Sequence, residues 1–381
     1  MHFEWMKSRL SFRGVFAKNA STKARRRNHS RMAATAEVLE TRRVLSAATV
    51  TPDVVPETII NDDAFDEMVS GDFSGDGTRE LFFWNRQTGA NRFVDPETGN
   101  FFTNTIDPRQ INGGVFESVT VGNFLTTTPE ESEMFFWDPV SGSNRTVVAP
   151  DLSVTSRDGA VVFDNLVATN LINGNDFSTI VAGDFRTDAA DLDELFFWDP
   201  SSGQNRFVTF SGSSSGSASF STNVINPAAI NGNDFTIATA GNFDGAAVDE
   251  LFFLNNGTGR NRMVLLNDNS LSVFAVETNL VAPNALNGNV YSTVITSDFD
   301  GDLDSDIFLW DPQSGQNRLL SATPGQPPTF QVETNCVNRA EIDRVFDEVT
   351  LIDGATINAD GLFFWDASEG TNTKADFTTA P

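Results

Sequence analysis

Short, wholly apolar runs alternate along the chain with polar stretches rich in turn residues. LFFW at Leu81–Trp84 recurs as MFFW at Met134–Trp137, LFFW at Leu195–Trp198, LFFL at Leu251–Leu254, IFLW at Ile307–Trp310 and LFFW at Leu362–Trp365. The last residues of successive runs lie 53, 61, 56, 56 and 55 positions apart, so one unit is repeated six times. Each run is followed by a turn such as DPVSGSNR from Asp138 or DPSSGQNR from Asp199, in which Gly is expected at positive φ. Ahead of the runs lie Asn-Gly turns at Ile111, Ile172, Ile230 and Leu286, each followed by an aromatic: Phe116, Phe177, Phe235 and Tyr291, with Phe65 in the same slot of the first unit. The segments between are short and rich in Phe, Val, Thr and Ile, and none sustains a 3.6-residue period.

Four short antiparallel strands per unit, six times over, predict an all-β protein: a six-bladed β-propeller of four-stranded blades. A run apolar on both faces suits a blade sandwiched between two others. The alternatives are a seven-bladed ring or a β-solenoid. The units span about 60–110, 111–171, 172–229, 230–285, 286–341 and 342–381. A shared template, read as the fourth strand, precedes the Asn-Gly turns as TNTIDPRQI to Ile111, NLVATNLI to Ile172, TNVINPAAI to Ile230 and TNLVAPNAL to Leu286, and recurs as TNCVNRAEI to Ile342. The sixth unit ends without one, but PDVVPETII (Pro52–Ile60) matches it, with Asp53 in the Asn slot. A strand over about 50–60 is therefore expected to complete the last blade and close the ring, hiding both edges. The same alignment makes Cys336 a packing residue.

Charge divides the chain. Residues 1–43 hold 11 of the 25 bases against three acids, and the remainder is about −35 by formal count. We read 1–48 as a basic, disordered targeting tail and 49–381 as the propeller. So acidic a body repels phosphate backbones and argues against nucleic-acid binding. No run approaches the length of a membrane-spanning helix. The only histidines, His2 and His29, lie in the tail, which leaves the body without a triad, an imidazole base or a zinc site.

The acids gather in loops before the apolar runs. SDFDGDLDSDIFLW (Ser297–Trp310) places Asp298, Asp300, Asp302, Asp304 and Asp306 at every second position; the first unit offers Asp72, Ser74, Asp76, a backbone carbonyl at Thr78, and Glu80. Oxygen ligands at that spacing suit a loop wrapped around Ca²⁺, and like charges so crowded are unfavourable without one. Weaker sets are Asn242, Asp244 and Glu250 in unit four and Asp184, Asp188, Asp193 and Glu194 in unit three; unit two keeps Asn123, Glu131 and Glu133.

GDFSGDGTRELFFW (Gly71–Trp84) and SDFDGDLDSDIFLW resemble FG-GAP or VCBS-type repeats, those of integrin α-subunit propellers and many bacterial exported proteins, over roughly 55–381. The resemblance implies calcium loops between the first and second strands of a blade, an extracellular binding or adhesion role, and ligand roles for Asp72, Ser74, Asp76, Glu80, Asp298, Asp300, Asp302 and Asp306. That family more often has seven blades. VLETRRVLSA (Val38–Ala47) resembles a sorting motif of LE-x-R-x-LLSA type, departing from it at Thr41 and Val44, and implies export to the exterior or cell surface.

Arg92, Arg145, Arg206, Arg262 and Arg318 follow the Trp slot by eight residues, each preceded by Asn. Stacking on an indole, or pairing with acids such as Asp138 or Asp311, gives them a structural role; a repeated glycan site of Asn, Arg and Trp is the functional alternative. The leading expectation is an exported, calcium-stabilised, monomeric binding or adhesion module for a protein or surface polysaccharide. A multivalent lectin and a secreted hydrolase or lyase working with carboxylates are the alternatives.

Overall fold

The computed structural model describes residues 45–60, 65–112, 116–125, 131–149, 152, 160–173, 177–187, 192–211, 218–231, 235–267, 270–286, 291–342, 346–354 and 359–379. The basic tail, most of the sorting-type motif, the glycines of the Asn-Gly turns and most of the Ser-Gly stretch after Ser211 lie outside them.

Six four-stranded antiparallel sheets form the body. Blade one runs Glu67–Gly71, Glu80–Trp84, Asn91–Val94 and Phe101–Thr103, from inner to outer strand, and blades two to five repeat this order. The six inner strands touch one another in sequence, and that of the sixth blade touches that of the first, so the ring is closed. This is a six-bladed β-propeller.

The apolar runs are the second strands, and every residue of LFFW in blade one is fully buried. Its two faces serve different neighbours. Trp84 meets Phe136 of blade two edge-on at 5.1 Å, Trp137 meets Phe197 at 5.2 Å, Trp198 meets Phe253 at 5.1 Å and Trp310 meets Phe364 at 5.2 Å. Trp365 completes the circle on Phe83 at 5.0 Å. Indole N–H groups add a second link: Trp84, Trp137 and Trp198 donate to the carbonyls of Ile111, Ile172 and Ile230, which lead into the next blade. Trp365 donates to Ile60, 305 residues earlier. The tryptophans are therefore structural, and their buried rings offer no face to a sugar.

The expected closure is present, but the strand lies earlier than the template placed it. Leu45–Pro52, not 50–60, pairs with Asn372–Thr379 as the outer strand of blade six. The template residues are instead a connector. Asp53 adopts φ 52°, as do Asn104, Asn165, Asn223, Asn279 and Asn335 within a few degrees, and Glu57–Ile60 forms one helical turn. The left-handed residue ends the strand, and an Asx-Pro step three residues on starts the helical turn: Asp107 accepts the Arg109 N–H and Asn226 accepts that of Ala228, with Pro108 and Pro227 at its start.

The Asn before each Arg ties connector to blade. Asn91 is wholly buried, donates to the carbonyls of Gly89 and Ile106, and accepts the Ile106 N–H. Asn205 repeats the pattern with Gly203 and Ile225. In blade six the same side chain reaches back 317 residues: Asn372 accepts the Val55 N–H at 3.0 Å and donates to the Val55 carbonyl at 2.6 Å. The turn glycines are at positive φ, as expected, and also leave no room for a side chain. A Cβ on Gly203 (φ 77°) would stand 2.1 Å from the Pro227 carbonyl oxygen.

Candidate metal centre

The acidic loops join inner to second strands, and each touches the following blade. Ser132 N–H donates to the Asp72 carbonyl, Asp193 to Asn123, Asp249 to Asp184, Ser305 to Asn242 and Asp360 to Asp298. Side chains reinforce these links. Asp193 accepts the Asn123 N–H, and its carboxylate occupies the space where Gly122 would carry a Cβ. Asp249 does the same for Asp184 over Gly183. At the closing junction the roles reverse, and Asp353 accepts the Arg79 N–H at 2.7 Å.

Loops one and five share one hydrogen-bond scheme. Asp72 accepts N–H groups from Gly75, Asp76 and Gly77; Asp298 accepts those of Gly301, Asp302 and Leu303. Thr78 N–H donates to Asp76, and Asp304 N–H to Asp302. Glu80 accepts from Phe73 and Ser74, while Asp306, one methylene shorter, accepts from Phe299 and spends its other oxygen on Ala322. The result in loop one is that Asp72, Asp76 and Glu80 each bring an oxygen within 4.8 Å of the others. Asp298, Asp300 and Asp306 do the same in loop five.

These are hard oxygen donors without nitrogen or sulfur, the set that suits Ca²⁺. Burial pushes Glu80 and Asp300 up to about 7 and Asp306 well above the usual carboxylate range, with neighbouring aspartates adding to the effect in loop five. A divalent cation would replace those protons. The residues present fit such an ion, with Asp72, Asp76, Glu80, Asp298, Asp300 and Asp306 as its carboxylate holders.

The remaining expected ligands are placed differently. Asp302 stays in the loop-five turn, and Asp304 lies against Gly245 of blade four, its pKa raised by burial first and then by Asp302, Asp298 and Asp244. Asp193 faces blade two. Asp188 lies outside the described residues. In blade four Asn242 turns its amide N–H onto the Ala246 carbonyl, and Glu250 is pushed up to about 8 by burial.

Blade three carries a feature that spacing alone did not expose. Arg186 stands at the third loop position, where blades one and five have Ser74 and Asp300, and its guanidinium lies 3.3 Å from Glu194. A built-in cation thus sits beside the buried carboxylate. In blade two the same position is Leu125, buried, and Glu131 reaches back over Gly75 of loop one.

The repeated arginines neither stack on indoles nor pair with Asp138 or Asp311, which organise their own turns. The register sets Arg206 opposite Phe197, one residue from Trp198. Arg92, Arg145, Arg206 and Arg262 lie instead over Phe65, Phe116, Phe177 and Phe235 at 5.1–5.5 Å.

One carboxylate pair lies outside the loops. Glu67 and Glu348 begin the inner strands of blades one and six and are pushed up to about 7 and about 8 by burial, each raised further by a neighbouring acid. Glu348 lies beside Glu67 and the Met68 backbone of blade one, at the junction between the two blades. Among the described residues, a cavity of about 500 Å³ is lined by Pro312, Gln313, Phe346 and Asp347. Among the described residues no helix is long and apolar enough to cross a membrane.

Comparison with known proteins agrees on architecture. No family model matches the chain, and no curated protein sequence is significantly similar to it. Among solved structures, a luciferin-regenerating enzyme is similar at TM-score 0.50 and 10% identity, covering 86% of this chain and 95% of its own. An Agrocybe aegerita lectin that recognises non-reducing terminal N-acetylglucosamine is similar at TM-score 0.51 and 10% identity, covering 83% and 79%. At such identity the likeness is one of fold, shared by an enzyme and a lectin alike.

Proposed function

We propose that the chain is an exported propeller of FG-GAP or VCBS type, stabilised by Ca²⁺ in loops one and five, acting as a non-catalytic binding or adhesion module. The observation that carries this reading is the position of the two carboxylate clusters. Each lies in a loop whose first residue is hydrogen-bonded to the next blade, so an ion there would fasten a junction between blades. A body without histidine supports a non-catalytic role. The ligand is a protein or a polysaccharide.

The test is thermal unfolding of the full chain in saturating Ca²⁺ and after ion removal verified by elemental analysis. We expect a lower melting temperature without the ion, restored by Ca²⁺, and a smaller response in Asp298→Asn/Asp306→Asn. An unchanged melt after verified removal would refute the calcium assignment.

A further inference from the structure

We propose that the ring opens at one place, the junction between blades five and six, and that a divalent cation in loop five holds it shut. This rests on the calcium reading above and gives one of its two sites a regulatory role.

A junction between blades has two ends, one at the acidic loops and one at the turns after the second strands. Among the described residues, every junction but one is tied at the turn end by a side-chain hydrogen bond. Trp84, Trp137, Trp198 and Trp365 donate to the segment leading into the next blade. Blade four has Leu254 in the Trp slot, and there the Asn256 amide donates to the Tyr291 carbonyl at 3.2 Å. Trp310 breaks the pattern. It is fully buried, and its Nε1–H has no partner.

Three further departures fall at the same junction. The leading aliphatic and its aromatic are five residues apart in the other units, as Ile111 and Phe116 are, but four apart at Ile342 and Phe346. Arg145 and Arg262 reach back to the preceding connector, at the Gln110 and Ala229 carbonyls, whereas blade six has Thr373 in the arginine slot. The cavity of about 500 Å³ also lies here, with Pro312 and Gln313 on one side and Phe346 and Asp347 on the other. What joins this end is the apolar contact of Trp310 with Phe364, and apolar contact is non-directional.

The loop end of the junction is polar. The Asp298 carbonyl accepts the Asp360 N–H at 2.8 Å, and the Ser297 hydroxyl donates to the Asp360 carboxylate. Asp298 is also one of the cation's carboxylate holders, so an ion that fixes it fixes both fastenings. Without the ion, Asp298, Asp300 and Asp306 keep oxygens within 4.8 Å of one another, and their repulsion loosens the loop on which this junction depends. Loop one has the same chemistry but a redundant junction, because Trp84 and Arg145 tie blades one and two at the other end. Its ion stabilises without gating.

The experiment compares the full chain, well below its melt, in saturating Ca²⁺ and after ion removal verified by elemental analysis. One readout is thiol labelling of Cys336, which is 5% exposed and belongs to the apolar cluster spanning this junction with Phe346 and Phe364. The other is amide exchange at Asp360 and at Ser132, whose N–H makes the equivalent bond to the Asp72 carbonyl between blades one and two. We expect ion removal to speed labelling and Asp360 exchange by about tenfold or more, and to leave Ser132 near its bound rate. Asp298→Asn/Asp306→Asn should label fast even in Ca²⁺, and Asp72→Asn/Glu80→Gln only once the ion is removed. If the loop-five variant does not fold, ion removal from the unaltered chain decides. Three results overturn the gate: equal acceleration at Asp360 and Ser132, equal labelling of the two variants in Ca²⁺, or no acceleration of Cys336. With a lowered melt, each of these leaves the calcium reading standing, whereas an unchanged melt removes the calcium reading itself.

Discussion

Asn372→Ala tests whether the ring depends on its closing clamp. The side chain makes three hydrogen bonds, two with Val55 at 3.0 and 2.6 Å and one to Gly370 at 3.1 Å. At about 1 kcal/mol net each, their loss costs about 3 kcal/mol. Val55 is wholly buried, so its N–H and C=O are left without partners, which adds about 1–2 kcal/mol. For a body of about 340 residues, about 2.1 cal/mol/K per residue gives an unfolding entropy near 0.7 kcal/mol/K, so the expected fall in melting temperature is about 6 °C. Asn205→Ala is the control, because its clamp joins residues only 20 apart. Calorimetry would report the common loss. Thiol labelling of Cys336 would report the difference. That side chain is 5% exposed, burial pushes its thiol up to about 12, and its carbonyl accepts the Ala48 N–H from the closing strand. We expect Asn372→Ala, and not Asn205→Ala, to accelerate labelling below the melt. A loss under about 1 kcal/mol, or equal labelling in the two variants, would refute the reasoning.

Three further outcomes are expected. Glu348 has a folded pKa of about 8, above its ordinary value of 4.5, so ionisation opposes the folded state and stability should fall as pH rises from about 4.5 through 8; Glu348→Gln, melted across that range, should flatten the decline and be the more stable form at its alkaline end. Leu303 is 76% exposed with φ 78°, in the slot Gly77 fills in loop one at φ 86°, so Leu303→Gly should gain about 1 kcal/mol in denaturant unfolding, and a loss would show that the strain is absent. Arg186→Met removes the cation from the buried Glu194 and should cost about 1–3 kcal/mol, less than the roughly 3–5 kcal/mol of a fully buried pair because Arg186 is 31% exposed; a neutral effect in the same assay would remove its role as counter-ion.

Six copies of one unit made the architecture legible, since each ambiguous strand was settled by its five equivalents. The closure was legible too, but through a misread element. TNVINPAAI looked like a strand because it carries Val and Ile, yet Asn223 turns left-handed and Asn226-Pro227 caps a helical turn. The true outer strands, FFT, VVFD, ASFST, SLSVFAVET and TFQVET, share no common wording. An edge strand packs on one side only, so few letters are demanded of it. The loop acids were visible from their spacing. Their partners were not, because Asp193 and Glu131 act on the preceding blade, and a repeat aligned to itself cannot show what crosses a junction. The arginine clamps were hidden by one residue of register, which turns the guanidinium from Trp198 to Phe177.

Pairing Leu45–Pro52 with Asn372–Thr379 also fixes the order in which the molecule can be finished. The earlier strand must wait for a partner made long after it, and until then the growing arc has two unfinished ends. Trp365 cannot reach Ile60 until the 305-residue stretch from one to the other has been made. A contact so distant in sequence is slow to form, so the join that closes the ring is the last and slowest step of its assembly.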